Sequence, residues 1–199
     1  QASDVCIDCV AGKYFAQAAQ TSDVCIDCAA GEYNSLTGKT ICSNCPAGKY
    51  SATAGFTECV DCPAGKFVGL PQKTSCSSCL QGTYSEVVGA NHYAVCIFCP
   101  SGRWDWKVAS NHPDNCIACA AGMWNYIEGQ YLPESILDSP ELICFACPAG
   151  KWSAAIAMDA ANKCIDCVAG KWSSTPGVDA AEKCIDCVAG KYFAQAAQA

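Results

Sequence analysis

One short pattern recurs ten times along the chain: a Cys-x-x-Cys pair, a glycine three places after the second cysteine, and an aromatic two places after the glycine. The glycines are Gly12, Gly31, Gly48, Gly65, Gly82, Gly102, Gly122, Gly150, Gly170 and Gly190. The aromatics are Tyr14, Tyr33, Tyr50, Phe67, Tyr84, Trp104, Trp124, Trp152, Trp172 and Tyr192. Self-similarity at this period marks a repeat architecture. A unit of about 20 residues cannot bury enough apolar surface to hold its own fold, so it depends on disulfides, metal or neighbours.

The pairs are Cys6/Cys9, Cys25/Cys28, Cys42/Cys45, Cys59/Cys62, Cys76/Cys79, Cys96/Cys99, Cys116/Cys119, Cys144/Cys147, Cys164/Cys167 and Cys184/Cys187, which account for all 20 cysteines. At a tenth of the chain, cysteine takes the place of a hydrophobic core and points to the secretory pathway or the cell exterior, where disulfides persist. A net charge of -7 argues against nucleic acid or an anionic membrane surface as partner. No apolar run approaches the ~20 residues of a membrane span. The sequence opens inside a repeat, at Gln1-Ala2-Ser3-Asp4, so a processed or truncated secreted chain is expected.

Spacers between pairs fall into classes. In two short ones Gly38 and Gly55 stand four residues before the next cysteine, where a turn would reverse an extended strand; a third has Gly69 and Pro71 as its turn signal. Longer spacers carry Asp159-Ala160-Ala161-Asn162-Lys163 and Asp179-Ala180-Ala181-Glu182-Lys183. The Asp179 to Glu182 spacing is that of a capping box, so one helical turn is expected before the cysteine. The aromatic after each glycine is expected to pack on a neighbouring disulfide. The outlier is the spacer 120–143, with Tyr126, Ile127, Tyr131, Leu132, Ile136 and Leu137 among Glu128, Glu134, Asp138 and Glu141. It reads either as a protruding contact loop or as a segment folded back over its own repeat.

Three chemistries use C-x-x-C. A redox dithiol needs a single motif at a helix N-terminus in a βαβ setting, which ten copies without that setting do not offer. Zinc ribbons take two pairs per metal at comparable spacings and are the serious rival to disulfides. Zinc knuckles usually have glycine directly after the second cysteine, whereas here Val, Ala, Pro or Leu stands there. Iron-sulfur ligation lacks its closer four-cysteine run.

The string Cys45-Pro46-Ala47-Gly48-Lys49-Tyr50-Ser51, followed by Gly55 and Cys59-Val60-Asp61-Cys62-Pro63-Ala64-Gly65-Lys66-Phe67, resembles the ephrin-receptor-like cysteine-rich repeats abundant in large surface proteins of protists. It is also similar to the first half-module of tumour-necrosis-factor-receptor cysteine-rich domains and to periodic-cysteine surface antigens of ciliates. In the receptor half-module the cysteine before x-x-Gly-x-aromatic bonds to the next cysteine along. The resemblance thus implies Cys9 to Cys25, Cys28 to Cys42, Cys45 to Cys59, Cys62 to Cys76, Cys79 to Cys96, Cys99 to Cys116, Cys119 to Cys144, Cys147 to Cys164 and Cys167 to Cys184. Cys6 and Cys187 are left to bridge between segments. The receptors' second half-module is missing, so their ligand sites do not transfer.

His92 and His112, each four residues before a cysteine, read as one repeat position carried along by duplication. Asp8, Asp27, Asp61, Asp166 and Asp186 share the place before the second cysteine and read as a solvated face. Lys13, Lys49, Lys66, Arg103, Lys151, Lys171 and Lys191 stand beside the aromatic, where charge pairing between neighbouring repeats or chains is expected. No nucleophile and base are set out in an order that supports catalysis, so the chain reads as a non-enzyme without cofactor or metal.

The expected fold is a class of small disulfide-rich repeats, an elongated linear array of ten irregular β-hairpin modules, mostly loop with little helix. The repeats are 6–24, 25–41, 42–58, 59–75, 76–95, 96–115, 116–143 with the inserted loop, 144–163, 164–183 and an incomplete 184–199. Cys6 to Gln20 and Cys184 to Gln198 are the same fifteen residues. The array is therefore expected to continue past both ends, with itself, head to tail, as partner. The expected role is structural, in an extracellular filament, surface coat or appendage. The alternative is the ectodomain of a receptor or adhesin binding a protein through the 120–143 loop.

Overall fold

Two-residue strands joined into hairpins are nearly all the regular structure the chain forms. The computed structural model describes residues 6–16, 24–131, 142–189 and 191. They divide into two compact units, one of Gln1–Cys79, Ser85–Ile97 and Ala109–His112, the other of Leu80–Tyr84, Phe98–Val108 and Pro113–Ala199. The described residues contain no α-helix. In the first unit Lys13–Tyr14 pairs with Ile26–Asp27, Glu32–Tyr33 with Ser43–Asn44, Lys49–Tyr50 with Val60–Asp61 and Lys66–Phe67 with Ser77–Ser78, all antiparallel. In the second, Arg103–Trp104 pairs with Ile117–Ala118, Met123–Trp124 with Phe145–Ala146, Lys151–Trp152 with Ile165–Asp166 and Lys171–Trp172 with Ile185–Asp186. The chain is a disulfide-rich series of small hairpins, mostly loop.

Each hairpin starts from a tight turn. Lys13 N–H donates to the Val10 carbonyl (3.1 Å) and Lys151 N–H to that of Pro148 (3.0 Å), with glycine at the third of the four turn residues, at φ 82° for Gly12 and 81° for Gly150. That is the place where such a turn needs a left-handed residue. The turn also brings the aromatic strand back toward the next Cys-x-x-Cys, whose two middle residues form the second strand.

A rung, taken as the loop closed by one disulfide, joins the next rung through three backbone hydrogen bonds. The repeat glycine donates to the residue after the next aromatic, as Gly12 does to Asn34 (2.7 Å) and Gly122 to Ser153 (2.8 Å). The residue after the aromatic donates forward in turn, as in Asn34 to Phe56 (3.1 Å) and Asn125 to Met158 (2.8 Å). The turn of the following rung donates back to the second cysteine, as in Gly38 to Cys9 (2.8 Å) and Ala157 to Cys119 (2.9 Å). The pattern repeats in both units, so backbone groups that a two-residue strand leaves unpaired are satisfied from rung to rung.

This junction explains why the repeat glycine is never replaced. A Cβ on Gly31 (φ 87°) would lie 2.6 Å from the carbonyl oxygen of Gln72, two rungs on, and a Cβ on Gly122 (φ 77°) would lie 2.7 Å from the carbonyl carbon of Gly177. The obstacle is backbone in each case, which cannot swing aside. The residue that supplies the carbonyl is itself left-handed in every rung where it is described, including Gln72 (φ 60°), Ala109 (φ 58°) and Ala157 (φ 55°), where no glycine stands. In the third short spacer, where Gly69 and Pro71 signal the turn, the left-handed residue is Gln72, directly after Pro71, and its N–H donates to the Cys45 carbonyl (2.8 Å) of the preceding rung.

Aromatics pack on the next rung's disulfide, as the sequence leads one to expect. Trp104 is buried with Cys119, Cys144 and Ile143, and Trp124 lies against Cys147, Cys164 and Met158. The longer spacers add an apolar residue to this contact, Met158 and Val178 forming parallel bridges with Trp124 and Trp152.

The helical turns before the cysteine are 3-10 turns, at Ala161–Lys163 and Ala181–Lys183. The capping box does not form. The capping residues are Ala160 and Ala180, and Asp159 and Asp179 instead pair with Lys163 (2.8 Å) and Lys183 (2.7 Å) four residues on. Each turn starts one residue later than the capping-box spacing requires, which leaves the aspartate before the cap and Glu182 at the second place of its turn, while the lysine at the turn's end reaches the aspartate.

Gly31→Ala or Gly122→Ala should cost about 2–5 kcal/mol, the sum of left-handed strain and a backbone collision. Ala157→Gly should gain up to about 1 kcal/mol, because it relieves the strain at a smaller entropic cost. Both are read from thermal unfolding of the oxidised protein. Hydrogen bonding from Lys163 and Lys183 holds the Asp159 and Asp179 carboxyls below the usual aspartate range, outweighing desolvation, which acts the other way. Their contribution to stability is present above the unfolded value of about 4 and is lost as pH falls through the lowered native value. Carboxyl NMR titration should place Asp159 below an unpaired aspartate, and Lys163→Met should return it to the ordinary value.

Candidate functional site

The cysteines carry the chemistry that the sequence offers, and the structure commits 18 of them. Nine disulfides join Cys9–Cys25, Cys28–Cys42, Cys45–Cys59, Cys62–Cys76, Cys79–Cys96, Cys99–Cys116, Cys119–Cys144, Cys147–Cys164 and Cys167–Cys184. These are the nine pairs that the receptor half-module implies. The Cα separations are 5.6–5.9 Å, within the ordinary span of a bridge. Each closes a loop worth roughly 3 kcal/mol in the chain-entropy treatment. The first cysteine of one pair and the second of the same pair go to different loops, so successive loops are linked through the two residues between them. Cys6 is an exposed thiol and Cys187 a half-buried one. Among the described residues no group of three or more His, Cys, Asp or Glu is placed to hold a metal ion.

Each two-residue strand gives the hairpin two faces. On one, lysine lies opposite aspartate: Lys13 and Asp27 (2.9 Å), Lys49 and Asp61 (2.8 Å), Lys151 and Asp166 (2.8 Å), Lys171 and Asp186 (2.8 Å). The expected pairing between neighbouring repeats is what the ion pairs show, since each aspartate belongs to the next Cys-x-x-Cys and faces the lysine across the hairpin, in the Lys13↔Asp27 register. These half-exposed pairs contribute well under 1 kcal/mol each. On the other face the aromatic lies opposite an aliphatic in several hairpins, as Trp152 opposite Ile165 and Trp172 opposite Ile185, and opposite serine in two, Tyr33 with Ser43 and Phe67 with Ser77.

One position escaped the sequence reading. The residue after each aromatic is short and polar in most rungs and is buried: Asn34, Ser51, Ser85, Asp105, Asn125, Ser153 and Ser173. Its side chain accepts from the backbone two residues on, as Asp105 Oδ1 does from Lys107 N–H and Asn125 Oδ1 from Ile127 N–H (both 2.9 Å). Asn34 Nδ2 and Ser51 Oγ also donate to the carbonyls of Lys13 (2.7 Å) and Glu32 (3.0 Å) in the preceding rung. The signal was there, as aromatic followed by Ser, Asn or Asp, in a slot where side-chain turns form.

The residues of the 120–143 spacer divide. Tyr126, Ile127 and Tyr131 are at the surface. Leu132, Ile136 and Leu137 lie outside the described residues. Tyr126 belongs to an aromatic group with Trp124 and Phe145, with ring centroids 5.2–6.0 Å apart. His92 caps the turn Tyr93–Val95 by accepting from Ala94 N–H (3.1 Å), and His112 lies 3.3 Å from Glu86. The two histidines have local partners and do not form a common site among the described residues.

Residues 31–69 and 48–96 match the family model described as tyrosine-protein kinase ephrin type A/B receptor-like. No curated protein matches the chain. Repeats of the matched kind are non-catalytic modules of the ectodomain type. A chain with nine disulfides and such a match has the marks of an extracellular or cell-surface protein. No helix among the described residues is long and apolar enough to cross a membrane.

Peptide mapping without reduction should recover the nine loops and leave Cys6 and Cys187 open to a thiol reagent in the isolated chain. The native mass should carry no zinc; stoichiometric metal with free thiols would instead favour the zinc-ribbon reading.

Proposed function

We propose that this chain is a structural component of an extracellular filament, surface coat or appendage, in which the ten repeats 6–24 to 184–199 continue from one segment into the next. The observation that supports it most is that the rung-to-rung junction consists of backbone groups and one glycine, repeated in both units. Such a junction can be extended by any further repeat of the same pattern. The identity of Cys6 to Gln20 with Cys184 to Gln198 fits this reading. Laid over the start of a following copy, the chain would give Cys187 a partner in Cys6 after 15 residues, the spacing between Cys9 and Cys25. A heterologous contact of that kind does not close on itself and yields an open filament.

A second reading, the ectodomain of a receptor or adhesin, is favoured by the receptor-like match. The two readings separate on self-association. Under oxidising conditions the purified protein should form covalent oligomers containing a Cys187 to Cys6 peptide, and electron microscopy should show uniform fibres. Cys6→Ser or Cys187→Ser should each stop growth at the dimer or below. A monodisperse monomer whose thiols stay free would leave the ectodomain reading in front.

A further inference from the structure

The hairpin of the seventh rung, closed by Cys119–Cys144, carries no charge. Where four other hairpins place lysine opposite aspartate, this one places Met123 opposite Ala146. Across from Trp124 stands Phe145, where Ile165 and Ile185 stand in later hairpins. Trp124 and Phe145 are 5.2 Å apart, Tyr126 joins them at 5.8 and 6.0 Å, and the Tyr126 and Phe145 rings lie within 19° of parallel. Tyr126 is 61% exposed and Phe145 41%.

The sixth rung shows how such an aromatic is satisfied from within. Trp106 stands seven residues after the second cysteine, the place of Tyr126 in the seventh rung, and Lys107 puts its Nζ 5.1 Å from the Trp106 ring centroid. The residue after Tyr126 is Ile127, where Trp106 has Lys107, and exposed Glu128 stands two places after Tyr126. The seventh rung thus has electron-rich ring faces with a carboxylate close by in the chain and no lysine in the place that Lys107 takes in the sixth.

We propose that Trp124, Tyr126 and Phe145 form a docking site for a basic segment of a protein partner, which lays an arginine or lysine side chain over the Tyr126 and Phe145 rings. Charge complementarity selects this occupant. A second copy of the chain brings a net charge of -7 to a segment that carries exposed Glu128, and an anionic lipid surface is repelled in the same way. The inference holds for a filament subunit or an ectodomain alike, and its test does not depend on self-association.

The substitutions that test it borrow residues from matching positions of other rungs. Serine occupies the place of Phe145 at Ser43 and Ser77, and alanine the place of Tyr126 at Ala16, Ala52 and Ala154. A fluorescein-labelled dodecapeptide of alternating arginine and glycine is titrated with the oxidised 199-residue protein at 0.15 M salt, and anisotropy is read. Saturable binding is expected, at least tenfold weaker for Tyr126→Ala with Phe145→Ser, weaker for Glu128→Lys, and unchanged for Ile165→Ser, with nine disulfides verified by mass in each variant. The absence of saturable binding would overturn the proposal, as would equal loss with Ile165→Ser or equal binding of the glutamate counterpart. Binding to phosphatidylcholine vesicles or to a neutral oligosaccharide that is lost in the double variant, without such loss for the arginine peptide, would overturn it in favour of that other occupant.

Discussion

The contact on which the structure depends is between the second hydrogen of a glycine Cα and a backbone carbonyl two rungs away. At Gly31 and Gly122 no side chain fits between the two, and the left-handed backbone there aims the N–H at the next rung. Everything else in the junction follows from that approach. With glycine in place, the turn carbonyl closes in, the residue after the aromatic is buried, and a short polar side chain is needed there to satisfy the bend two residues on. The disulfide then closes a loop that the backbone bonds have already brought into register.

This division of labour explains what may vary. The junction uses main-chain groups, so the outward residues of a hairpin can change without disturbing the step between rungs. Lysine and aspartate fill one face in several rungs and contribute little to stability, as half-exposed pairs do. The seventh rung drops them for Met123 and Ala146 and keeps the same three backbone bonds to the next rung. A repeat of this kind is a scaffold on which one rung can acquire a contact surface while its neighbours remain structural.

Much of this could be read from the sequence because the constraint is strict. A glycine found ten times in ten at one offset from cysteine signals a close approach, and an aromatic two places on signals what covers the disulfide. The pairing came by resemblance to a receptor half-module, since spacing alone leaves the connectivity open. What could not be read was set by the neighbouring rung. Gln72 is left-handed because its N–H reaches the Cys45 carbonyl, although Gly69 and Pro71 are the stronger local turn signals. Charge pairing between neighbouring repeats was legible, but which residue takes the lysine is set by the hairpin register that puts Lys13 opposite Asp27. The capping box failed because the turn starts one residue later, with Ala180 and not Asp179 at its cap. The buried polar slot was missed because Ser, Asn and Asp look like ordinary loop residues until the rung before them is in place.

Amide hydrogen exchange on the oxidised protein tests most directly whether successive rungs within each compact unit are joined by their backbone hydrogen bonds. The N–H groups of Gly12, Gly31, Gly48, Gly65, Gly102, Gly122 and Gly150 point only to the next rung. The account predicts that they exchange as slowly as the strand amides within the hairpins. Exchange at the rate of open loop amides, with all nine disulfides intact, would mean that the rungs are separate beads on a covalent thread and would contradict it.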